Sequence, residues 1–395
     1  MDFAFPEEHI ELQKWAREFA EKEIRPVAPQ YDESEEFPWE VLKKAAQTGL
    51  YAPDIYLQAQ QDTTGLTLPI VMEEVFWGCA GIGLCIFGTG LPLSALAAVG
   101  TPEQLFEWAP KMFGTTEDPK VAAFCVTEPH AGSDVRSLKT RARREGDEWI
   151  LNGQKVFITN GQYADVYIVV ATVDPELGHR GQASFIVTRD DGIRPGKKEK
   201  KLGIRASDTS EVLLEDVRIP LDRVVGGLDR LDQKLDRARK GESTGKSSAA
   251  LRTFEVTRPA VAAQAVGIAR AALEFAVDYA KDRKAFGVPI SQHQSIQNHL
   301  ADMAVEVECA RLLVYRAAWL AANGQPFNKA EGSMSKLKAG ETAVSVTEKA
   351  VQILGGYGYI KDFPVEKWYR DSKIYTIFEG TSEIQRMVIA RALIG

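Results

Sequence analysis

The chain reads as an α+β multidomain protein: an N-terminal helical domain, a middle antiparallel β-domain and a C-terminal four-helix bundle. Three observations predict this. Apolar residues recur at helical spacing toward both ends of the chain, short strands separated by turn dipeptides fill the middle, and no strand–helix alternation of the parallel α/β kind occurs. A length of 395 residues also exceeds what one hydrophobic core usually supports, so two or three domains are expected. The expected spans are an all-α domain at 1–117, a β-domain at 118–227, a polar insertion at 228–252 and a helical bundle at 253–395.

In the first span, Ile10 to Ala20 repeats apolar residues at helical spacing, and Pro26 and Pro38 are stops. Leu68 to Val99 is more apolar and carries Gly78, Gly81, Gly83, Gly88 and Gly90, which predicts buried, closely packed helices. At Val121 the texture changes. Val121 to Val126 is strand-like and runs into the turn-rich Thr127-Glu128-Pro129-His130-Ala131-Gly132-Ser133-Asp134. Asn152-Gly153 after Trp149-Ile150-Leu151 predicts a hairpin turn, and Asn160-Gly161 after Lys155 to Thr159 predicts another. Further strands are expected at 165–173, 183–188 and 211–219. No G-x-G-x-x-G follows a strand, which excludes dinucleotide binding in that style.

Leu228 to Arg252 is polar and charge-mixed, a solvated loop or short surface helix. Its Gly241-Glu242-Ser243-Thr244-Gly245-Lys246-Ser247 has three spacers where a phosphate loop has four, and no strand precedes it. Beyond it, Leu300, Met303, Val307, Ala310, Val314 and Ala317 step by 3, 4, 3, 4, 3, which is a bundle seam.

Composition is ordinary for a globular chain, at 45% hydrophobic and 26% charged residues. A net charge of −7 argues against nucleic acid or an anionic membrane as partner. No run of 18 apolar residues is free of charges and helix breakers, so no membrane insertion is expected. Cys79, Cys85, Cys125 and Cys309 are scattered and the histidines form no zinc-protease pattern, so reduced thiols and no metal site are expected. The N-terminus lacks signal or transit character, and the location expected from the chain is cytoplasmic.

The stretch with the clearest chemistry is Ile374 to Arg386. Its apolar start delivers Glu379 onto Gly380, Thr381 and Ser382 follow as cap candidates, and amphipathic residues resume at Ile384. A carboxylate beside Ile377 and Phe378 is partly desolvated, which raises its pKa and suits it to act as a base. Taken alone, such a stretch is most simply a helix start.

Five motifs in order change that weighting: Val126-Thr127-Glu128-Pro129 with Ala131-Gly132-Ser133-Asp134, Asn152-Gly153-Gln154-Lys155, Asp282-Arg283-Lys284-Ala285-Phe286-Gly287, Gln352-Ile353-Leu354-Gly355-Gly356, and Phe378-Glu379-Gly380-Thr381-Ser382. Together with the tripartite order they resemble the acyl-CoA dehydrogenase family, nearest its medium-chain branch, over almost the whole chain. The resemblance implies a flavoprotein of fatty-acid β-oxidation with non-covalent FAD, a homotetramer that passes electrons to electron-transfer flavoprotein. Glu379 would take the α-proton of an acyl-CoA while the β-hydrogen leaves as hydride to flavin N5. An acyl-CoA oxidase using oxygen and a catalytically silent acyl-binding subunit are the alternatives.

Residue by residue, the resemblance places Phe124, Val126, Thr127 and Ser133 beside flavin and substrate, and Phe157, Ile158 and Thr159 over the flavin. Arg283, Phe286, His293, Gln294, Gln352 and Gly356 match positions that hold the FAD of a neighbouring subunit. Thr381 and Glu383 match the adenine side. Phe254, Glu255, Arg258 and Gly380 match substrate contacts. Some branches carry the base at the position of Thr257; Glu255, two residues away and roughly 200° around a helix, does not replace it. Departures from the family are Pro53 to Gln58 in place of a Pro-Glu-x-x-Gly-Gly loop, Phe157 for tryptophan, Ala285 for a hydroxyl residue, His130 for glycine and Glu383 for glutamine. The 228–252 segment is longer than the medium-chain pattern by roughly a dozen residues and is expected to act as a lid or partner element. At the acyl pocket, Gly83 would deepen the base and Phe87 would plug it; the expectation drawn is a medium to long straight chain.

Overall fold

The structure, a computed structural model, describes residues 5–242 and 249–395, and for 249–256 the backbone only. The phosphate-loop-like stretch from Ser243 onward and the Phe254 and Glu255 side chains lie outside the described set.

Eight helices come first: α1 Glu7–Phe19, α2 Ala28–Ser34, α3 Trp39–Gln47, α4 Asp54–Gln61, α5 Thr67–Gly78, α6 Ala80–Phe87, α7 Gly90–Val99 and α8 Pro102–Phe113. Seven strands follow: β1 Ala122–Cys125, β2 Arg141–Glu145, β3 Glu148–Thr159, β4 Val166–Thr172, β5 Gln182–Thr188, β6 Arg194–Lys198 and β7 Thr209–Pro220. Then come α9 Leu228–Arg239, α10 Ala249–Asp282, a small ribbon of β8 Lys284–Ala285 and β9 Val288–Pro289, α11 Gln294–Ala322, α12 Glu331–Leu354, α13 Val365–Ser372 and α14 Ser382–Ile394.

The sheet runs β1-β4-β2-β3-β7-β6, with β5 on β4. Most pairings are antiparallel as the turn-rich sequence predicts, but β1 pairs β4 in parallel, Ala122 opposite Val166. The β2–β3 hairpin lies between them in sequence and supplies the crossover that a parallel pair requires. Alternation along the strands divides two cores. Ala122, Phe124, Val126, Val166, Ile168 and Val170 face the helices, while Ala123, Cys125, Tyr167, Val169 and Ala171 face a second core within the β-domain.

Asn152-Gly153 does not make the expected turn. It lies inside β3 at an irregularity opposite β7, and the hairpin closes earlier, between Glu145 and Glu148. Asn152 exchanges hydrogen bonds with Asp216, Nδ2 to Oδ1 at 3.0 Å and Asp216 N to its Oδ1 at 2.9 Å. A bulge uses the same local chemistry as a turn, so the dipeptide alone does not separate them.

The apolar segment predicted as buried helices is α5, α6 and α7, with α5 and α6 almost wholly inside. Segments 80–99 and 257–282 are long and apolar enough to cross a membrane by composition, yet 67% and 72% of those windows are buried in the fold, as core helices are. Inside α5, Glu73 and Glu74 bind Arg270 and Arg311 of the later bundle and Arg17 of α1, so an ion network bolts the two helical ends of the chain together. The predicted seam of α11 is buried at Met303, Val307, Ala310, Val314 and Ala317. α10, α11 and α12 pack on one another and α14 closes against α12.

Candidate active site

The site is built where α12 and α10 meet the chain entering α14. After α13, a 3₁₀ turn at Lys373–Thr376 lies against α12 at Gly340, where a Cβ would stand 2.5 Å from the Tyr375 carbonyl oxygen. No larger residue fits that approach. The chain then turns sharply, with φ of 55° at Glu379 and 91° at Gly380. Left-handed backbone costs a non-glycine residue about 1 kcal/mol and persists where the surroundings hold it. Here they do. Gln385 Nε2 donates to the Glu379 carbonyl at 3.1 Å and to the Gly380 carbonyl at 3.0 Å. Lys336 Nζ donates to the same Gly380 carbonyl at 2.7 Å. Thr381 Oγ1 accepts from Ile384 N at 3.3 Å and so N-caps α14.

Around the Glu379 carboxyl stand three polar side chains. Thr257 of α10 donates its hydroxyl to Oε2 at 3.1 Å. Arg258, the next residue, is buried and donates to Ser333 Oγ of α12 at 3.0 Å. Lys336, one turn further along α12, is only 1% exposed. Burial pushes the Glu379 carboxyl up to about 7, against the opposing pull of the Thr257 hydroxyl, Lys336 and Arg258. Burial likewise pushes the Lys336 ammonium down to about 8, with Glu379 and Glu383 holding it up and Arg258 lowering it. The Glu379 surface is partly open although protein encloses it closely, which is the setting of a cleft wall. Phe378 stands edge-on to Tyr375 at 5.0 Å, whereas Ile377 is 50% exposed and contributes less to desolvation than the sequence pattern implies.

On the β-domain side, Val126, Thr127 and the end of β3 form one surface, joined by a bond from Val156 N to the Thr127 carbonyl at 2.9 Å. Glu128 fastens it from behind. Its carboxylate accepts from Lys155 Nζ at 2.8 Å, Lys139 N at 2.7 Å and Thr140 N at 2.9 Å, and Lys155 also donates to the Val126 carbonyl. The Glu128-Pro129 and Gln154-Lys155 motif residues therefore hold a loop. Phe124, Val126 and Ile158 are buried, Thr127 and Thr159 are half-buried, and Ser133 is exposed. Phe157 keeps 65% of its surface open at a φ of 58°. An exposed aromatic ring on strained backbone, with uncharged hydroxyls at its margin, fits a flat conjugated ring with a hydrogen-bonding edge, which is what FAD presents.

The second predicted cofactor group lies elsewhere. Arg283 packs over the Tyr357 ring at 5.3 Å, next to Gly356. Phe286, 96% exposed, stands edge-on to His293 at 5.7 Å, and His293 Nε2 lies 3.3 Å from the Ala285 carbonyl. Gln294 and Gln352 are exposed. Gln352 is sixteen residues along α12 from Lys336, roughly 24 Å at the helical rise. One chain thus carries two separated groups of predicted cofactor residues.

Several placements differ from the sequence reading. Arg258, matched to substrate contact, is inside the bundle beside Glu379. Thr381 caps a helix, and Glu383 is exposed at the α14 N-terminus, where the Glu383 backbone N–H and Thr381 hold its carboxyl below the usual range. Gly83 opens no space, because a Cβ there would lie 2.9 Å from the Phe76 ring, which packs with Phe87 at 6.3 Å between centroids. Leu228–Arg239, read as polar, is a helix that buries Leu231, Leu235 and Ala238 on the β-domain, and Lys234 donates to the Gln182 carbonyl. Gln182 in turn donates to the Val135 and Arg136 carbonyls, so this part of the insertion braces the loop after Ser133. That docking does not suit a free lid. Lys336, Gln385 and Ser333 were not singled out from sequence. A signal for Lys336 exists: Ser333, Lys336, Gly340, Ala343, Thr347 and Ala350 step by 3 and 4, which puts a lysine in a core stripe.

Comparisons with known proteins agree along the whole chain. Residues 6–115, 123–217 and 247–394 match the N-terminal, middle and C-terminal domain families of acyl-CoA dehydrogenase. The chain is 41% identical over 396 residues to the mitochondrial short-chain specific acyl-CoA dehydrogenase of Bos taurus, covering 98% of this chain and 90% of that one. Among solved structures it is similar to butyryl-CoA dehydrogenase from Megasphaera elsdenii, 36% identical with a TM-score of 0.89 and full coverage of both chains, at 100% each. A chain in the structure of the electron transferring flavoprotein of Acidaminococcus fermentans is also 36% identical, with a TM-score of 0.88 and 100% coverage of both.

Proposed function

Because the chain belongs to the acyl-CoA dehydrogenase family, and so to the FAD-dependent oxidoreductases, we propose that it converts a short-chain acyl-CoA to the trans-2-enoyl-CoA with Glu379 as base. The observation that carries this is a carboxyl held at about 7 on a strained turn, so that near neutral pH it is poised between base and acid. The Thr127, Ser133 and Phe157–Thr159 surface would hold FAD, which would supply the acceptor for the two electrons and the β-hydrogen. Glu379 takes the α-proton. The Glu379 carbonyl is turned toward Gln385, and the dry wall formed by Phe378 and Tyr375 excludes water from the developing enolate.

The filled space at Gly83 and the buried Phe76–Phe87 pair support a shallow acyl pocket, which favours butyryl-like chains over the medium to long chains read from sequence. The group of Arg283, Phe286, Gln294, Gln352 and Gly356, all exposed, with half-buried His293, remote from Glu379 in one chain, supports contact with the FAD of a neighbouring subunit in a homotetramer. Electron-transfer flavoprotein is proposed as acceptor.

Anaerobic titration with acyl-CoAs of graded length, followed by the visible flavin spectrum, tests the proposal. Bleaching by short chains and none in Glu379→Gln is expected. Phe76→Ala should extend bleaching to longer chains. Rapid oxygen consumption with no gain from electron-transfer flavoprotein would instead indicate an oxidase, and a protein that no acyl-CoA bleaches would end the dehydrogenase reading. Sedimentation at the mass of one chain would end the tetramer reading.

A further inference from the structure

Lys336 stands apart from the other buried charges. Its side chain is 1% exposed, its Nζ is spent on the neutral Gly380 carbonyl at 2.7 Å, and among the described residues it makes no ion pair. A buried ammonium without a carboxylate partner is costly, by several kcal/mol in general, and is retained where it does something else. Gln385 already donates to the Gly380 carbonyl, so the turn does not need a second donor that carries a charge.

We propose that Lys336 is a positioning residue for the base: its ammonium pins the Glu379–Gly380 turn by the Gly380 carbonyl and sets the proton affinity of Glu379 by its charge. The proposal rests on Glu379 being the base. Charged or titratable groups facing the pair come from each packed element: Arg258 from α10, with the Thr257 hydroxyl beside it, Lys336 from α12, and Glu383 from α14. Arg258 pushes Glu379 in the same direction as Lys336 but donates to Ser333, one turn before Lys336 on α12. The direction of the Lys336 effect is fixed by electrostatics. Removing a positive charge favours the protonated carboxyl, so the Glu379 midpoint rises.

The test is a pH titration of the Glu379 side chain by ¹³C NMR on protein labelled at the glutamate carboxyl carbon, with Glu379→Gln to assign the signal. Lys336→Met removes donor and charge, Lys336→Gln keeps a donor without charge, and Gln385→Ala removes a donor but no charge. The midpoint should rise by about one unit in both Lys336 variants and stay in place in Gln385→Ala. At pH 7 that shift leaves the base ionised about fivefold less often, and the bleaching rate should fall by the same factor. An unmoved midpoint in a folded Lys336→Gln, or an equal rise in Gln385→Ala, would reduce Lys336 to a structural lysine. The titration needs no substrate, so a protein that no acyl-CoA bleaches would sink the dehydrogenase reading and leave the Lys336–Glu379 coupling measurable.

Discussion

Among the described residues, two lysines are no more than 1% exposed, and each faces a glutamate: Lys155 faces Glu128 in the β-domain, and Lys336 faces Glu379 in the bundle. The residue types are the same and the outcomes are opposite. Glu128 is held below the usual carboxylate range even though burial pushes it up, because Lys155 and the Lys139 and Thr140 amides all donate to it. Burial raises Glu379 to about 7, and the Thr257 hydroxyl does not offset it, its lysine being directed at a carbonyl instead. What separates a structural ion pair from the proposed base here is where the lysine is aimed: at the carboxylate, with two backbone amides beside it, or at a carbonyl.

The sharpest way to break the comparison is to remove each carboxylate. Glu379→Gln should lower the rate of flavin bleaching by about a thousandfold or more, measured by stopped flow, while leaving the thermal midpoint unchanged or higher. Glu128→Gln should do the reverse in kind. It leaves Lys155 buried without its partner, and denaturant unfolding should show a loss of about 3–5 kcal/mol, much of it recovered in Glu128→Gln/Lys155→Met.

The pH dependence sharpens the contrast next. The folded Glu379 carboxyl lies above its unfolded value of 4.5, so stability from this group is lost as pH rises from 4.5 through about 7. The Tm of Glu379→Gln relative to the parent should therefore climb across that window. Glu128 has the opposite sign. Its contribution is present above the unfolded value and lost as pH falls through its depressed folded one, so the deficit of Glu128→Gln should shrink in acid. Catalysis should rise with pH through an acidic limb near 7, read from kcat/KM. Thr257→Val, which removes the hydroxyl donating to Glu379 Oε2, should move that limb upward at least as far as Lys336→Met does.

Much of this was legible in the chain itself. The bundle seam from Met303 to Ala317 is a pattern of core residues, and cores are what hydrophobic periodicity encodes. Glu379 was legible because five motifs in order resemble one family; taken alone, its Gly-Thr-Ser setting reads as a helix start. The Asn152-Gly153 bulge was not, since a turn and a bulge use the same local residues and only the pairing register with β7 chooses between them. Gly83 was misleading for a similar reason: the space beside a glycine belongs to whichever neighbour fills it, and Phe76 comes from the preceding helix.

By itself the sequence determined the order of helices, sheet and helices and the two faces of each strand. Those are local properties, set by periodicity and by the conformational limits of a few residues. Only the tertiary structure decided that Thr257, Arg258, Lys336 and Gln385, spread over 129 positions from first to last, meet around one turn. The proton affinity of Glu379 follows from that meeting, because desolvation and charge act through space and are indifferent to distance along the chain.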